Sequence, residues 1–233
     1  MLTTHSISIV LPAYNEEQNI QAMVSEVIEV MSGVTDDYEV IVVNDGSRDN
    51  TAQIVQELVR EFPTVRLINH EVNQGYGAAL HTGFTNAKKD LIFLTDSDKQ
   101  FEVGEISRLL PLLQEADLVV GYRAPRRDPF KRRLFGKGWS TLVTLLFGYT
   151  ARDIDCAFKL FRREIIENIR IESRGATFSA EFLVRAKRKG YRIREAPVTH
   201  LPRTAGSQTG ARIDVIMRAF KELVRFRLKL WRE

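Results

Sequence analysis

Two aspartates one residue apart, Asp96 and Asp98, follow the apolar run at residues 91–95. In an open parallel α/β sheet, ligands bind beyond the carboxyl ends of the strands. Two carboxylates at such an end can share one hard cation such as Mg²⁺ or Mn²⁺, which prefers oxygen ligands and substrate phosphates. Aspartates are also common in turns, where they bond to backbone amides. The pair predicts either a cation site or a structured turn, and its place after a strand favours the cation.

Polar residues also follow two earlier apolar runs, at residues 12–17 and 44–47. Asp45 and Ser47 can bond to a ribose or a base, or they can close a turn and cap the next helix. The glycine-rich segment 73–77 lacks the spacing of a dinucleotide-binding fingerprint. We interpret that segment as a turn leading into a helix.

Short β-branched runs alternate with helical patterns through the first half of the chain. This alternation predicts βα units and a mostly parallel, Rossmann-like sheet flanked by helices. Asn15 is the expected N-cap of the first helix, and Asn50 of the second. The predicted strands are 7–11, 38–43, 65–68, 91–95 and 117–120, with a further strand near 156–161 and an extended segment at 191–198. Later helices are predicted at 178–189 and 213–231.

The composition is that of one folded domain, since 44% of the 233 residues are hydrophobic and 27% are charged. We expect an α/β domain over residues 1–210 and a C-terminal amphipathic helix over 211–233. Cys156 is the only cysteine, which excludes an intrachain disulfide and suits a reducing cytosolic compartment. The four histidines lack metal-ligand spacing and are interpreted as surface or packing residues. Residues 1–6 predict no cleavable signal peptide, and no apolar run is long enough for a membrane-spanning helix.

The net charge of +4 favours an anionic partner. Six cations precede the apolar stretch 139–149, and a basic loop beside a short apolar helix suits a lipid phosphate, although solvated loops are often charged too. These cations are Arg123, Arg126, Arg127, Lys131, Arg132 and Arg133. The last helix combines an apolar with a cationic face, so it can rest on anionic lipid, on its own domain or on a second subunit. Its predicted apolar face comprises Ile213, Ile216, Met217, Phe220, Val224, Leu228 and Trp231.

Several segments together resemble the family 2 inverting glycosyltransferases of the GT-A fold, most closely the dolichol- and polyprenyl-phosphate mannose or glucose synthases. They are IVLPAYNE at 9–16, VVNDGS at 42–47, residues 73–83, DSDKQ at 96–100, residues 153–163, and the pairs 202–203 and 206–207. The resemblance covers residues 7 to about 210. It implies inverting transfer of a hexose from a nucleotide sugar, GDP-mannose or UDP-glucose, to a polyprenyl or dolichyl phosphate, with Mg²⁺ or Mn²⁺ as cofactor.

The same resemblance implies roles for individual residues. Pro12, Tyr14, Glu16 and Asp45 would line the nucleotide pocket. Asp96, Asp98 and Gln100 would hold the metal and the diphosphate. Arg123, Arg132 and Arg203 would bind phosphates of donor or acceptor. Lys99 departs from the usual motif of the relatives, and we expect it to change metal affinity or to bind phosphate.

The acceptor decides whether a base is needed. A phosphate monoester is already anionic near neutral pH, whereas a sugar hydroxyl requires a positioned carboxylate or histidine. Asp155 is the first candidate for this base, and Asp153 and Glu181 are the next candidates. All three can instead order loops or bind the arginine cluster. A transferase acting on a saccharide hydroxyl and a catalytically silent scaffold for a membrane protein are the alternatives.

A nucleic-acid partner is not expected, because the cations lack interleaved aromatic stacking residues. We expect a cytoplasmic protein. Its basic and apolar segments suit peripheral contact with the cytoplasmic face of a membrane.

Overall fold

A computed structural model describes residues 3–125, 127, 130–203, 205 and 213–231, without the side chains of 130–132 and 213–218. The strands are β1 (Ile7–Ala13), β2 (Tyr38–Asp45), β3 (Val65–His70), β4 (Leu91–Leu94), β5 (Leu118–Arg123), β6 (Lys159–Arg162) and β7 (Ile193–Val198). The helices are α1 (Ile20–Ser32), α2 (Thr51–Glu61), α3 (Tyr76–Asn86), α4 (Ile106–Leu109), α5 (Phe130–Phe147), α6 (Glu164–Asn168), α7 (Phe178–Arg188) and α8 (Ile213–Leu230).

The seven strands form one sheet in the order β3-β2-β1-β4-β6-β5-β7. Every pairing is parallel except those of β6, which runs antiparallel to both β4 and β5. The predicted mostly parallel sheet is therefore confirmed. Because β6 is reversed, the residues that precede it reach the edge at which the other strands end.

The sheet lies between two hydrophobic layers. All seven residues of β1 are buried, as expected for a strand covered on both faces. Its side chains alternate, so that Leu11 packs in the layer of α1 and Val10 in the layer of α3 and α7. Phe158 and Phe161 are fully buried. Burial of one such side chain stabilises the fold by roughly 1.5–3 kcal/mol.

The first two helices are confirmed, and Asn50 is the N-cap residue of the second as predicted, but the predicted cap of the first is wrong. α1 begins after Asn19, and Asn15 instead has a left-handed φ of 56°. The Asn15 side-chain oxygen accepts a hydrogen bond from the Arg48 amide at 2.8 Å. Asn50 precedes α2 without a capping bond, and Asp49 accepts from the Thr51 amide at 3.0 Å. These asparagines therefore order the loops beyond β1 and β2.

The last helix is confirmed, and its described apolar residues form two stripes. The inner stripe packs against the core and comprises Ala219, Leu223, Phe226 and Leu230. The outer stripe stays exposed and comprises Phe220, Val224, Leu228 and Trp231. The described residues of the predicted apolar face are those of the outer stripe, so the prediction missed the inner stripe, because it followed apolar residues without knowing which side the core would cover. In the described part of the chain, no helix combines the length and apolar character needed to cross a membrane.

Candidate active site at the carboxyl edge of the sheet

Asp96 and Asp98 lie in a tight loop that follows β4. Between them, the Ser97 hydroxyl donates a hydrogen bond of 2.9 Å to the Pro12 carbonyl and ties this loop to β1. Asp98 accepts from the Gln100 amide at 3.2 Å. Lys99, with a φ of 57°, turns outward and forms an ion pair of 3.1 Å with Glu26 on α1. The loop thus presents two carboxylates, while Lys99 pairs with α1.

The electrostatics of these carboxylates fit a divalent cation. Burial, followed by the charge of Asp98, raises the pKa of Asp96 to about 7. A cation between them would relieve this repulsion, and carboxylate oxygens are the ligands that Mg²⁺ and Mn²⁺ take. No cluster of three acidic, histidine or cysteine ligands occurs among the described residues. Further oxygens must therefore come from elsewhere, and Gln100 is the predicted source.

Gln100 is buried, and its side-chain nitrogen donates to the Leu201 carbonyl at 3.1 Å. Its own amide donates to Asp98, as above. Gln100 therefore joins the loop of Asp96 and Asp98 to the segment that carries Arg203.

Arg203 connects two of the predicted carboxylates. Its guanidinium donates to Glu16 at 2.6 Å and to Asp98 at 3.2 Å. The second Glu16 oxygen accepts from the Asn19 side chain at 2.7 Å. Only 14% of the Arg203 side chain is exposed, so these bonds are shielded from water. The structure thus brings together Glu16, Asp98 and Arg203 from three distant parts of the sequence.

Arg123, at the end of β5, makes a bidentate pair with Asp153. Both N···O distances are 2.7 Å, and both side chains are about one-tenth exposed or less. Asp155, two residues further on, is exposed and lies close enough to influence Tyr76 and Lys159 electrostatically. The side chain of Arg132 lies outside the described residues. Asp153 thus binds an arginine, one of the alternatives left open for it.

Glu181 orders a loop and binds an arginine, which were the alternatives to a role as a base. It accepts from Arg185 at 2.7 Å and from the Ser173 amide at 2.8 Å, and its side chain is almost fully buried. It orders α7 and the loop before it.

Asp45, at the end of β2, is surrounded by hydrogen-bond donors. It accepts from the Gln74 and Gly75 amides, each at 2.9 Å. His70 Nδ1 lies 2.7 Å from it, and His70 Nε2 lies 2.9 Å from the Thr82 hydroxyl. Since a carboxylate only accepts, His70 Nδ1 carries the proton. Asp45 therefore fixes the glycine-rich segment 73–77, and its role toward a nucleotide stays a prediction.

Three residues of this edge escaped the sequence analysis: His70, Tyr76 and Lys159. The Tyr76 hydroxyl donates to Asp96 at 3.0 Å. Lys159 is 1% exposed, and its ammonium group donates to the Cys156 carbonyl. Burial lowers the pKa of Lys159, while Cys156, the acidic residues before β6 and Asp96 act in the opposite direction. A lysine inside the apolar run 157–161 was the available signal, whereas nothing marked Tyr76.

His200 is buried rather than exposed. Its Nδ1 accepts from the Arg127 amide at 3.2 Å, and its ring meets Phe101 edge-on. It therefore orders the start of the arginine-rich loop and confirms the packing interpretation.

The fold and the site define an α/β protein with an acidic, arginine-lined ligand site at the carboxyl edge of its sheet. The chain belongs to glycosyl transferase family 2, whose family model matches residues 8–170. It is 34% identical to dolichyl-phosphate beta-glucosyltransferase ALG5A of Trichomonas vaginalis, over 82% of this chain and 64% of that protein. It is 33% identical to undecaprenyl-phosphate 4-deoxy-4-formamido-L-arabinose transferase of Photorhabdus laumondii, over 69% of this chain and 50% of that one.

These matches span about two-thirds or less of the length of the relatives. The fold is also that of glucosyl-3-phosphoglycerate synthase from Mycobacterium tuberculosis, solved with Mn²⁺, uridine diphosphate and glucosyl-3-phosphoglycerate. The TM-score is 0.73 at 19% identity, over 97% of this chain and 80% of that one. The expected GT-A fold is thereby confirmed.

Proposed function

We propose that this chain transfers a hexose, with inversion, from a nucleotide sugar to a polyprenyl or dolichyl phosphate, with Mg²⁺ or Mn²⁺ as cofactor. The observation that carries the proposal is the meeting of Asp98 and Glu16 on Arg203, beside Asp96, where β1, β4 and β7 end. Membership of family 2 supports sugar transfer. The names of the two curated relatives support a polyprenyl-phosphate acceptor, and the first favours glucose as the sugar.

The chemistry requires little proton transfer. An oxygen of the acceptor phosphate forms a bond to the anomeric carbon, while the bond from that carbon to the nucleoside diphosphate breaks. The electron pair leaves with the diphosphate oxygen, where a divalent cation held by Asp96, Asp98 and Gln100 would neutralise charge. Because the attacking oxygen already lacks a proton near neutral pH, no strong base is needed.

Arg203 and Arg123 supply the forked donors that phosphate groups match. In the structure both guanidinium groups are held by carboxylates, Arg203 by Glu16 and Asp98, and Arg123 by Asp153. A phosphate would therefore find two oriented cations at the site. We assign Arg203 and Arg123 to donor or acceptor phosphate, together with Arg132.

The donor nucleotide would lie against the loop beyond β1. We assign Pro12, Tyr14, Glu16 and Asp45 to this pocket. UDP-glucose is the first donor to test, and GDP-mannose is the second.

Asp155 is the residue to test for the alternative in which a saccharide hydroxyl is the acceptor. Its carboxylate is exposed, and its charge acts on Tyr76 and Lys159 as the charge of Asp96 does, so it could take a proton there. Loss of transfer to a saccharide in Asp155→Asn, with transfer to polyprenyl phosphate retained, would support the base role.

The outer stripe of α8, formed by Phe220, Val224, Leu228 and Trp231, is the surface we assign to a membrane. These residues are between 47% and 81% exposed, and the exposed cations Lys221, Arg225 and Lys229 flank them. An apolar stripe beside cations is the pattern that lies on anionic lipid. Peripheral binding through this stripe would bring the carboxyl edge to a lipid-linked acceptor.

A transfer assay tests the main proposal. Nucleotide sugars are incubated with polyprenyl phosphate and Mn²⁺ or Mg²⁺, and both glycolipid and released nucleoside diphosphate are measured. Equal amounts of both products, lost in Asp98→Ala, are expected. Nucleoside diphosphate binding without any transfer would favour a silent scaffold.

Sedimentation with vesicles tests the membrane surface. We expect binding to vesicles containing phosphatidylglycerol, weakened by Leu228→Ser with Trp231→Ser and by high salt. The matched control is Val72→Ser, another exposed apolar residue, which lies between β3 and α3. Salt-independent dimerisation lost in the same double variant would assign the stripe to a second copy of the chain.

A further inference from the structure

We propose that Tyr76 is a positioning residue for Asp96: its hydroxyl fixes one carboxylate oxygen and leaves the other to face a divalent cation. This inference rests on the proposed function, because it assigns Asp96 to the cation. It adds a residue that lies outside the acidic loop and that no charge pattern in the sequence marks.

The contact is a single directed hydrogen bond. The Tyr76 hydroxyl donates a hydrogen bond of 3.0 Å to Asp96 Oδ1. The ordinary pKa of a tyrosine is about 10, so the Tyr76 hydroxyl keeps its proton and donates throughout the neutral range. A bond to one oxygen restricts rotation of the carboxylate, as outer hydrogen bonds do at metal sites.

The backbone before Tyr76 is fixed independently of Asp96. Asp45 accepts from the Gln74 and Gly75 amides, and both bonds measure 2.9 Å. Gly75 has a φ of 100°, which a residue with a side chain rarely adopts. The carboxylate at the end of β2 thus sets the direction in which the chain enters Tyr76.

The backbone after Tyr76 is held from the opposite side. A Cβ atom on Gly77 would lie 2.6 Å from the Gly175 carbonyl oxygen, so the two segments pack backbone to backbone. The Ala78 amide donates to the Arg174 carbonyl at 2.9 Å. Because both flanks are fixed, the tyrosine hydroxyl is oriented before any ligand arrives, which is the condition for preorganisation.

A role in core packing does not account for this tyrosine. Its residue surface is 39% exposed, whereas Phe84, on the same helix, is 2% exposed and packs against three other phenylalanines. Tyr76 therefore contributes its hydroxyl to the site and little of its ring to the core.

Tyr76→Phe removes the hydroxyl and keeps the ring. We expect the Mn²⁺ dissociation constant, measured by electron paramagnetic resonance with uridine or guanosine diphosphate present, to rise about tenfold. In the transfer assay kcat should fall while the KM for the acceptor stays within about twofold, because a hydroxyl acting on Asp96 affects the leaving group. The matched control is Tyr149→Phe, which removes another hydroxyl bonded to a carboxylate, that of Glu195 on β7.

Unchanged Mn²⁺ binding in Tyr76→Phe would overturn the inference, and sugar transfer by the same wild-type protein would leave the proposed function standing. Weaker Mn²⁺ binding in Tyr76→Phe, without transfer by the wild type, would support the inference and reject the function. Equal weakening in Tyr149→Phe would also overturn it, since the effect would not be local. Absence of Mn²⁺ binding by the wild type with either diphosphate would overturn it outright.

Discussion

Asp45 and Asp96 both lie at the carboxyl edge of the sheet, yet their surroundings are opposite. Asp45 receives two backbone amides and the proton of His70, so its charge is satisfied inside the protein. Among the described residues, Asp96 accepts from the Tyr76 hydroxyl and faces the charge of Asp98, while the charges of Lys159 and Arg123 act in the opposite direction. A carboxylate with several donors helps to hold the scaffold, whereas one with a like-charged neighbour has an affinity for a cation. The two aspartates therefore differ in their surroundings, although they share residue type and place in the fold.

The largest expected effect is the loss of sugar transfer when the pair of Asp96 and Asp98 is broken. In Asp98→Ala, sugar transfer should fall by about 10²–10³-fold, comparable with the loss of one preorganised electrostatic group. Its melting temperature should change little, because Arg203 keeps its bond to Glu16. Asp98→Asn, which keeps the shape, is the companion variant. Transfer within tenfold of wild type in both would show that Asp98 is not a ligand.

Asp45→Ala should mainly affect stability. It leaves two amides and a histidine without their acceptor, at a cost of roughly 1–3 kcal/mol for each buried group that water does not reach. We expect urea unfolding to show a net loss of about 3 kcal/mol in this variant. A loss below about 0.5 kcal/mol would place Asp45 outside the scaffold.

The pH dependence of the metal-free protein should distinguish the two aspartates further. Since the folded pKa of Asp96 is about 7, above its unfolded value near 4, the folded state holds more protons between these pH values. Stability should therefore fall as pH rises from about 4 to 7, by roughly 1–2 kcal/mol once solvent screening is included. Thermal melting in a chelator tests this against Asp96→Asn, in which that fall should disappear. Identical slopes in both proteins would contradict the assignment.

Lys99→Ala should have the smallest effect. The Lys99 to Glu26 pair is partly exposed, and such pairs contribute about 0–1 kcal/mol. We expect Mn²⁺ half-saturation and kcat to stay within about twofold of wild type. A larger shift would restore the sequence-based expectation that Lys99 acts on the metal or on phosphate.

The sequence predicted most of the elements because their hydrophobic periods are regular. The strands β1 to β5 and the helices α1, α2 and α7 lie close to where apolar runs and 3.6-residue spacing placed them. Boundaries were less accurate at the site, where Asn15 orders a loop instead of capping α1, and Asn50 is the N-cap residue of α2 without a side-chain capping bond. An asparagine that caps a helix and one that orders a loop make the same kinds of bond to the backbone, so tertiary contacts decide which role it has.

For the site, the sequence predicted the residues that follow parallel strands and missed those brought by other geometry. Asp96, Asp98 and Glu16 follow strand ends, and Arg203 came from the resemblance. Lys159 belongs to the reversed strand β6, which delivers its first residue to the same edge. Tyr76 depends on contacts of segment 73–77 with Asp45 and with Arg174, which no local pattern contains.

The ion pair between Glu16 and Arg203 joins residues that are 187 positions apart. Closing so long a loop has an entropic cost that local contacts do not carry, and folds rich in distant pairings form slowly. The pair can form only after the intervening strands have taken their places in the sheet. A chain still emerging from the ribosome has a complete β1 but no Arg203 to pair with Glu16, so we expect the carboxyl edge of the sheet to be among the last parts of the molecule to mature.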